Sequence, residues 1–146
     1  MAIDRKNYDS YVDEKSPNSP MVRDLVWAFV IGGAICTLGQ GLTALWKLAG
    51  LASLDAGAAT SATLIFLGAL LTGLNVYDNI AKFAGAGTIV PITGFANAIV
   101  SAALEFKSEG FILGMAAKMF TIAGPVLVFG ISGSVIYGLI LVLFGG

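Results

Sequence analysis

Residues 119–146, MFTIAGPVLVFGISGSVIYGLILVLFGG, contain no charged side chain and consist mostly of apolar and small residues. Three further stretches also lack charges, namely residues 25–46, 56–77 and 83–104. Each of these three has about 22 residues, which as a helix would extend about 33 Å, slightly more than the ~30 Å hydrocarbon thickness of a bilayer. Uncharged runs of this length, repeated within one chain, predict transmembrane helices.

The composition supports the same conclusion, because 57% of the 146 residues are hydrophobic and only 12% are charged. That leaves too few polar side chains to solvate a globular surface. We therefore expect an all-α integral membrane protein, a polytopic helical bundle of about four transmembrane segments. Residues 1–24 are predicted to be a polar tail and residues 25–146 one membrane domain, with apolar segments at about 25–46, 56–77, 83–104 and 110–145.

The polar tail mixes both signs of charge and is not typical of a cleaved signal peptide. Its cations precede the first apolar segment, whereas the next connection offers only Lys47. These tail cations are Arg5, Lys6, Lys15 and Arg23. Because cationic residues are retained on the cytoplasmic side of a membrane, the N-terminus is predicted to be cytoplasmic.

Several classes of function are excluded by what the chain lacks. The formal net charge is -1 and no run of Lys and Arg could neutralise successive phosphates, so we expect no nucleic-acid partner. There is no histidine, which removes imidazole-based metal sites and Ser/His/Asp triads. Cys36 is the single cysteine and can form no intrachain disulfide. We expect no cofactor, no metal, no catalytic residue and no enzymatic activity.

The third apolar segment begins FAGAGTIVPITGFAN, residues 83–97, and differs from the others. Gly85, Gly87, Pro91 and Gly94 would weaken or break a continuous helix. Irregular backbone at membrane depth is tolerated only where protein or a water-filled cavity surrounds it. The pattern therefore predicts a Gly/Pro-broken or re-entrant segment, with Thr93 near the start of its second half. A kink that merely shapes helix packing is the alternative.

A broken helix of this kind is suited to an anion, because the N-terminus of its second half presents backbone N–H donors and a positive dipole end. Discontinuous helices bind substrates in this way in transporters. The hypothesis places a substrate pathway along the polar and glycine residues at and near the break. The predicted lining is Gly85, Gly87, Pro91, Thr93, Gly94 and Asn97, with Tyr77, Asp78 and Lys82 at the mouth, Gln40 as a polar contact from the first apolar segment, and Lys118 in the last.

Three of the ionisable positions need separate consideration. Asp78 and Lys82 are four residues apart, so on a helix they would be neighbours able to neutralise each other at the membrane edge. Lys118 is the only charge in the apolar stretch from Phe111 to the chain end. It would either face a pathway for anions or extend its ammonium group to the interface, and the sequence leaves both open.

Gly130, Ser134 and Gly138 recur every four residues in the last apolar segment and would line one stripe of a helix. Small residues let another helix approach closely in lipid. The stripe therefore predicts helix packing, either within this chain or against a partner.

Several of these motifs also carry a family resemblance. Residues 71–78 (LTGLNVYD), 83–87 (FAGAG), 90–97 (VPITGFAN) and 101–110 (SAALEFKSEG) resemble the stage V sporulation protein AC family of spore-forming Firmicutes, and residues 32–40 (GGAICTLGQ) fit it too. The related AE family shares the FAGAG and VPxTGF elements, but the polar tail and the SAALE element favour AC. The resemblance covers nearly the whole chain after the tail.

The resemblance implies a membrane subunit of the SpoVA complex in the inner membrane of the forespore and spore. That complex moves dipicolinic acid, largely with calcium, into the forespore during sporulation and out of the spore during germination. AC-type proteins are also linked to channel activity that responds to membrane tension. The implied partners, besides membrane lipid, are the AE-type membrane subunit and the soluble, thiolase-like AD-type subunit.

Three functions are compatible with this reasoning. The first is a pore-forming subunit whose pathway follows the glycine-rich break. The second is a non-conducting assembly subunit that scaffolds a pore-forming partner. The third, an intramembrane enzyme using Asp78, Glu105 and Glu109 as paired acids, is disfavoured because their spacing and exposure offer no shielded site.

Overall fold

The structure, a computed structural model, describes residues 20–145 together with Tyr8 and Val12. Residues 20–145 are almost entirely helical, with no strand among them. The elements are α1 (Met21–Leu48), α2 (Ser53–Gly73), α3 (Tyr77–Ala84), a 3-10 turn (Gly85–Thr88), α4 (Pro91–Glu105), a second 3-10 turn (Lys107–Glu109), a π-helical turn (Phe111–Ala116) and α5 (Ala117–Phe144). Most of the predicted tail, 1–24, lies outside the described residues.

Three helical stretches in residues 20–145 are long and apolar enough to cross a membrane: Met21–Leu48, Ser53–Gly73 and Phe111–Phe144. The expectation of an all-helical architecture is confirmed, with three such helices where the sequence indicated about four segments. The π-helical turn runs directly into α5, so the last stretch is continuous over the predicted segment 110–145. The predicted segment 83–104 does not form one helix, because α3 ends at Ala84 and α4 begins at Pro91.

The helix ends differ from the ends of the uncharged runs, because a helix can continue through charged residues and can stop within an uncharged run. α1 begins at Met21, before the predicted Leu25, and places Asp24 in its first turn, where a carboxylate complements the positive end of the helix dipole. α2 ends at Gly73 although the uncharged run continues to Tyr77. Asn75 adopts a left-handed backbone with φ 62°, which ends α2 and allows α3 to start in a new direction.

α1 and α2 run antiparallel. Thr43 Oγ1 lies 3.0 Å from Thr60 Oγ1, and a Cβ on Gly39 would lie 3.4 Å from Leu64 Cδ1, so position numbers rise on one helix as they fall on the other. The buried residues of α2 recur every four positions, which places them on one face. They are Ala56, Thr60, Leu64, Gly68 and Thr72.

α4 runs parallel to α2, on the same buried stripe. A Cβ on Gly68 would lie 3.3 Å from the carbonyl oxygen of Thr93 and 3.4 Å from the Ala96 Cβ. One turn further along both helices, Thr72 Oγ1 lies 2.7 Å from Asn97 Oδ1. α4 therefore begins inside the bundle, beside the middle of α2, and ends on the side of the bundle where α2 also ends.

The last helical stretch turns back sharply from α4. Gly110, with φ 103°, separates the second 3-10 turn from the π-helical turn. At about 1.5 Å per residue, Phe111–Phe144 extends about 51 Å, so it must tilt or protrude if it crosses a bilayer. No residue of α5 is buried. Beyond its first turns, which contact α4, most of its side chains are therefore available to lipid or to a partner.

The corner between α4 and the last stretch depends on the absence of a side chain at Gly114. A Cβ there would lie 2.6 Å from the Glu109 Cβ and 2.8 Å from the Phe106 carbonyl oxygen. Two of the atoms within 3 Å of it belong to backbone, so the clash cannot be relieved by a rotamer change alone.

We therefore expect Gly114→Ala to destabilise the fold by about 1–3 kcal/mol, the usual cost of overpacking. The measurement is the thermal unfolding of the detergent-purified protein. Gly124→Ala is the matched control, because a Cβ at Gly124 meets nothing within 4 Å. Equal melting temperatures for the two variants would contradict this account of the corner.

Candidate functional site at the helix break

The break between α3 and α4 is built by residues that favour an irregular backbone. Gly85 adopts φ 50° and ψ -121°, a conformation that side-chain-bearing residues rarely take. The 3-10 turn follows, and Val90 is extended with ψ 127°, as expected before a proline. Pro91 is the first residue of α4, where its missing N–H costs no helical hydrogen bond.

The turn packs directly on the backbone of α1. A Cβ on Gly87 would overlap the Ala28 carbonyl oxygen and lie 2.8 Å from the Ala28 Cα. From the other side, a Cβ on Gly32 would lie 3.3 Å from the Gly87 carbonyl oxygen. Such close approach of two backbones requires glycine, so Gly87 fixes the position of the break against α1.

Gly94 makes the return into α4 possible. A Cβ at this position would lie 2.6 Å from the Thr88 carbonyl oxygen and 3.2 Å from the Ile89 Cα. The backbone of the turn thus folds back over the first turn of α4. A larger residue at position 94 would force the turn and the helix apart.

The Tyr77 hydroxyl supplies hydrogen bonds that the broken backbone would otherwise lack. It donates to the Thr88 carbonyl oxygen at 3.0 Å, and its oxygen lies 3.1 Å from Thr93 Oγ1. Tyr77, Thr88 and Thr93 are all buried. The Thr88 hydroxyl donates to the Gly85 carbonyl oxygen at 2.9 Å. We call Tyr77, Thr88 and Thr93 the hydroxyl cluster.

A second polar contact joins α2 to α4. Thr72 Oγ1 lies 2.7 Å from both the Gly68 carbonyl oxygen and Asn97 Oδ1. Thr72 is buried and Asn97 partly buried. This contact holds α4 parallel to α2 and thereby fixes where the break lies.

Comparison with known proteins supports the family assignment. The profile of the SpoVAC/SpoVAEB sporulation membrane proteins matches residues 24–140, which include the whole break. The chain belongs to this family. It is also 50% identical over 137 residues to stage V sporulation protein AC of Bacillus subtilis strain 168, covering 93% of this chain and 91% of that protein. No solved structure matches. The predicted family is thus confirmed.

In this sporulation membrane protein, the residues of the hypothesised pathway do not all lie together. Tyr77, Gly87, Thr93, Gly94 and Asn97 gather at the break and its contact with α2. The remaining members are exposed, on α1, on α3, beside the break, at the start of α4 and on α5. They are Gln40, Asp78, Lys82, Gly85, Pro91 and Lys118.

Two of the three ionisable positions that the sequence singled out, Lys82 and Lys118, make local contacts. Lys82 Nζ bonds to Asn79 Oδ1 at 3.2 Å, and among the described residues it forms no ion pair with Asp78, contrary to the expected mutual neutralisation. Lys118 Nζ lies 4.5 Å from the centre of the Phe106 ring. The flexible lysine stem reaches back to an aromatic face at the end of α4.

The small-residue stripe on α5 is not covered by the described part of the chain. A Cβ on Gly130 or Gly138 would meet nothing within 4 Å, and the Ser134 hydroxyl donates to the Gly130 carbonyl oxygen of its own helix at 2.8 Å. The sequence left open whether the stripe packs within this chain or against a partner. The described residues do not pack against it.

Sequence reasoning missed Thr72 and Thr88. A signal existed, because Thr60 and Thr72 lie on the same four-residue stripe of α2 as Gly68. The cluster holds no charged group, and residues 20–145 contain no group of three or more His, Cys, Asp and Glu that could hold a metal ion. Its chemistry is therefore hydrogen bonding by neutral donors and acceptors.

Removing the Tyr77 hydroxyl tests the cluster. We expect Tyr77→Phe to lower the unfolding free energy by about 1–3 kcal/mol, because the buried Thr88 carbonyl loses its side-chain donor. Tyr137→Phe should have almost no effect, because Tyr137 is 64% exposed on α5. Both variants are compared by equilibrium unfolding in detergent. In a Thr93→Val background the effect of Tyr77→Phe should shrink, and strict additivity would argue against a coupled cluster.

Proposed function

We propose that this protein is a membrane subunit of the complex that conducts dipicolinic acid, with calcium, across the inner membrane of the spore. In this proposal dipicolinic acid moves into the forespore during sporulation and out of the spore during germination, and membrane tension opens its route. The carrying observation is the break itself: irregular backbone and hydroxyl groups are buried between helices of membrane-spanning length. Its proposed partners are the AE-type membrane subunit and the thiolase-like AD-type subunit.

We further propose that α3 and α4 form a re-entrant segment and that α1, α2 and Phe111–Phe144 are the three spans. The parallel course of α2 and α4 supports this arrangement, because a helix that crossed the membrane after α2 would run antiparallel to it. Thr93 is level with Gly68, so this third residue of α4 lies about 8 Å deeper than the end of α2, and the helix then returns toward that end.

The distribution of charge favours the same topology. With a re-entrant α3–α4 segment, the Lys and Arg residues of the described range 20–145 fall on the N-terminal side of the membrane, with the exception of Lys47. Those cations include Arg23, Lys82, Lys107 and Lys118. The positive-inside tendency then makes that side cytoplasmic and the C-terminus opposite to it.

The break is suited to controlled passage of a small dianion. The first turn of α4 carries backbone N–H groups without helical partners, which attract negative charge. In this conformation the Tyr77 hydroxyl bonds to the Thr88 carbonyl and contacts Thr93 in that turn. Two hydrogen bonds of about 1 kcal/mol each would have to be exchanged on opening, a small cost for a gate. The proposal includes no enzymatic step.

The alternative is a non-conducting assembly subunit. The uncovered stripe of Gly130, Ser134 and Gly138 favours it, because a face of small residues lets a partner helix approach closely. The apolar lining of the hollow between α1 and α2 also favours it, because that hollow offers a dianion no polar path.

Release from liposomes separates these functions. Purified protein alone is reconstituted in vesicles loaded with calcium dipicolinate, and release after an osmotic downshift is followed by terbium luminescence. We expect wild-type vesicles to release their content, Gly87→Leu and Gly94→Leu to block release, and Tyr77→Phe to accelerate it. Gly133→Leu is the control, because a Cβ at Gly133 meets nothing within 4 Å.

Two outcomes of the liposome experiment would contradict the proposal. If wild-type protein alone releases nothing while inserting normally, it is an assembly subunit. If Gly87→Leu and Gly94→Leu insert and release as wild type does, the break is not part of the route.

Cysteine accessibility tests the re-entrant topology. In a Cys36→Ala background, single cysteines replace Ser19, Gly50, Ser108 and Gly146, and a membrane-impermeant maleimide is applied to oriented vesicles. We expect positions 19 and 108 to label from one side and positions 50 and 146 from the other. Labelling of position 108 together with position 50 would mean that residues 83–104 cross the membrane.

A further inference from the structure

A hollow of about 380 Å³ separates α1 from α2, with α3 and the break along its edge. Its lining residues are Ile31, Ala34, Ile35, Leu38, Leu64, Leu67, Gly68, Leu70, Leu71, Tyr77, Ile80, Thr88 and Thr93. A second hollow of about 560 Å³ adjoins it and shares Ile31 and Ile80 with it. The two hollows lie next to each other along α1 and α3, and we call them together the α1–α3 groove.

The inner part of the groove offers nothing to a hydrophilic ligand. Its only polar side chains are the hydroxyl cluster, whose members already have partners: the Tyr77 hydroxyl contacts the Thr88 carbonyl and the Thr93 hydroxyl, and the Thr88 hydroxyl donates to the Gly85 carbonyl. All other lining side chains are aliphatic, apart from Gly68. A groove of this composition between membrane helices stays dry, and an apolar occupant would restore the dispersion contacts that a void lacks.

The length of the groove corresponds to one leaflet of a bilayer. It extends along α1 from Trp27 to Leu38. Eleven residues of helix rise about 16 Å, which is roughly half of the ~30 Å hydrocarbon core. Trp27 lies near the start of α1, where an indole ring commonly marks the headgroup boundary. The groove therefore runs from one interface to about the middle of the membrane.

The outer end of the groove is lined in part by an amide side chain, and a cation is bonded to that amide. Asn79 lines the second hollow, and its Oδ1 accepts a hydrogen bond from Lys82 Nζ at 3.2 Å. Lys82 is exposed, and within residues 20–145 it is not paired with a carboxylate. An ammonium group with only a neutral partner remains available to a phosphate.

We propose that the α1–α3 groove is a binding site for one phospholipid of the leaflet on the N-terminal side of the membrane. One acyl chain fills the inner hollow against Leu38 and Leu67, and the phosphate lies beside Lys82 and Asn79. The apolar depth, the single-leaflet length and the cation at the outer end fit this amphiphile together. Because the acyl chain contacts Tyr77, Thr88 and Thr93, the site places lipid against the hydroxyl cluster.

Photolabelling of the full-length protein tests the site. The protein is reconstituted in nanodiscs of phosphatidylethanolamine and phosphatidylglycerol that include phosphatidylglycerol with a diazirine in one acyl chain. After irradiation, labelled positions are mapped by peptide mass spectrometry. We expect labelling of Ile35, Leu38 and Leu67 to exceed that of Val128 and Val135, which are exposed on α5, by several-fold.

Two variants test the acyl-chain contact and the headgroup contact independently. Ala34→Phe should fill the inner hollow and reduce labelling there to the level of α5, whereas Ala44→Phe, on the same helix outside the groove, should not. In a competition assay, unlabelled phosphatidylglycerol displaces the photoprobe from the groove. Lys82→Gln should raise the amount of unlabelled lipid needed for this displacement about fivefold, since one basic residue near a membrane surface contributes about 1 kcal/mol. Lys47→Gln, at the other end of α1, should leave that competition unchanged.

Uniform labelling of the wild-type protein around all helices would overturn the proposal, whether or not the variants fold. So would a photoprobe placed at Leu38 that crosslinks to protein rather than to lipid, because the occupant would then be a partner helix. Equal competition by phosphatidylglycerol for wild type and Lys82→Gln would remove the phosphate contact. None of these outcomes depends on whether the protein conducts dipicolinate.

Discussion

The hydrogen bond from the Tyr77 hydroxyl to the Thr88 carbonyl is the contact on which the arrangement of the break depends. Backbone outside regular helix is expensive in an apolar environment unless its polar groups find partners. Here a side chain from α3 supplies one such partner and also contacts Thr93 at the start of α4. One residue therefore ties together the helix before the break, the turn and the helix after it.

Glycines determine where this hydrogen-bonded unit sits. Gly87 allows the turn to touch the backbone of α1 at Ala28, Gly94 allows the turn to fold over α4, and Gly68 allows α4 to lie against α2. Hydrophobicity does not drive helices together in lipid, so their association depends on dispersion between closely packed surfaces. Contacts through glycine provide such close packing. The result is an inner group of α1, α2, α3 and α4, while α5 has no buried residue and faces outward.

The same geometry places two environments next to each other. The hydroxyl cluster includes Thr93 in the first turn of α4, whose backbone donors are suited to an anion. The same cluster lines an apolar groove of one-leaflet length. In the two proposals together, a lipid chain in the groove would contact the hydroxyl groups beside the anion route, which connects the state of the bilayer to the state of the break by direct contact.

The class, the family and the position of the break could be derived from the sequence. The length of an uncharged run, a glycine and a proline each constrain the helix in which they lie, whatever the tertiary contacts are. It also singled out Tyr77, Thr93 and Asn97, but placed Tyr77 at a mouth when it is buried beneath the break. Thr72 and Thr88, the pairing of Lys82 with Asn79, the contact of Lys118 with Phe106 and the exposure of Gln40 were decided only by the tertiary structure. The physical reason is that a sequence pattern can place residues on one face of a helix, as it does for Thr60, Gly68 and Thr72 of α2, but it does not say which neighbour covers that face or which partner a side chain bonds.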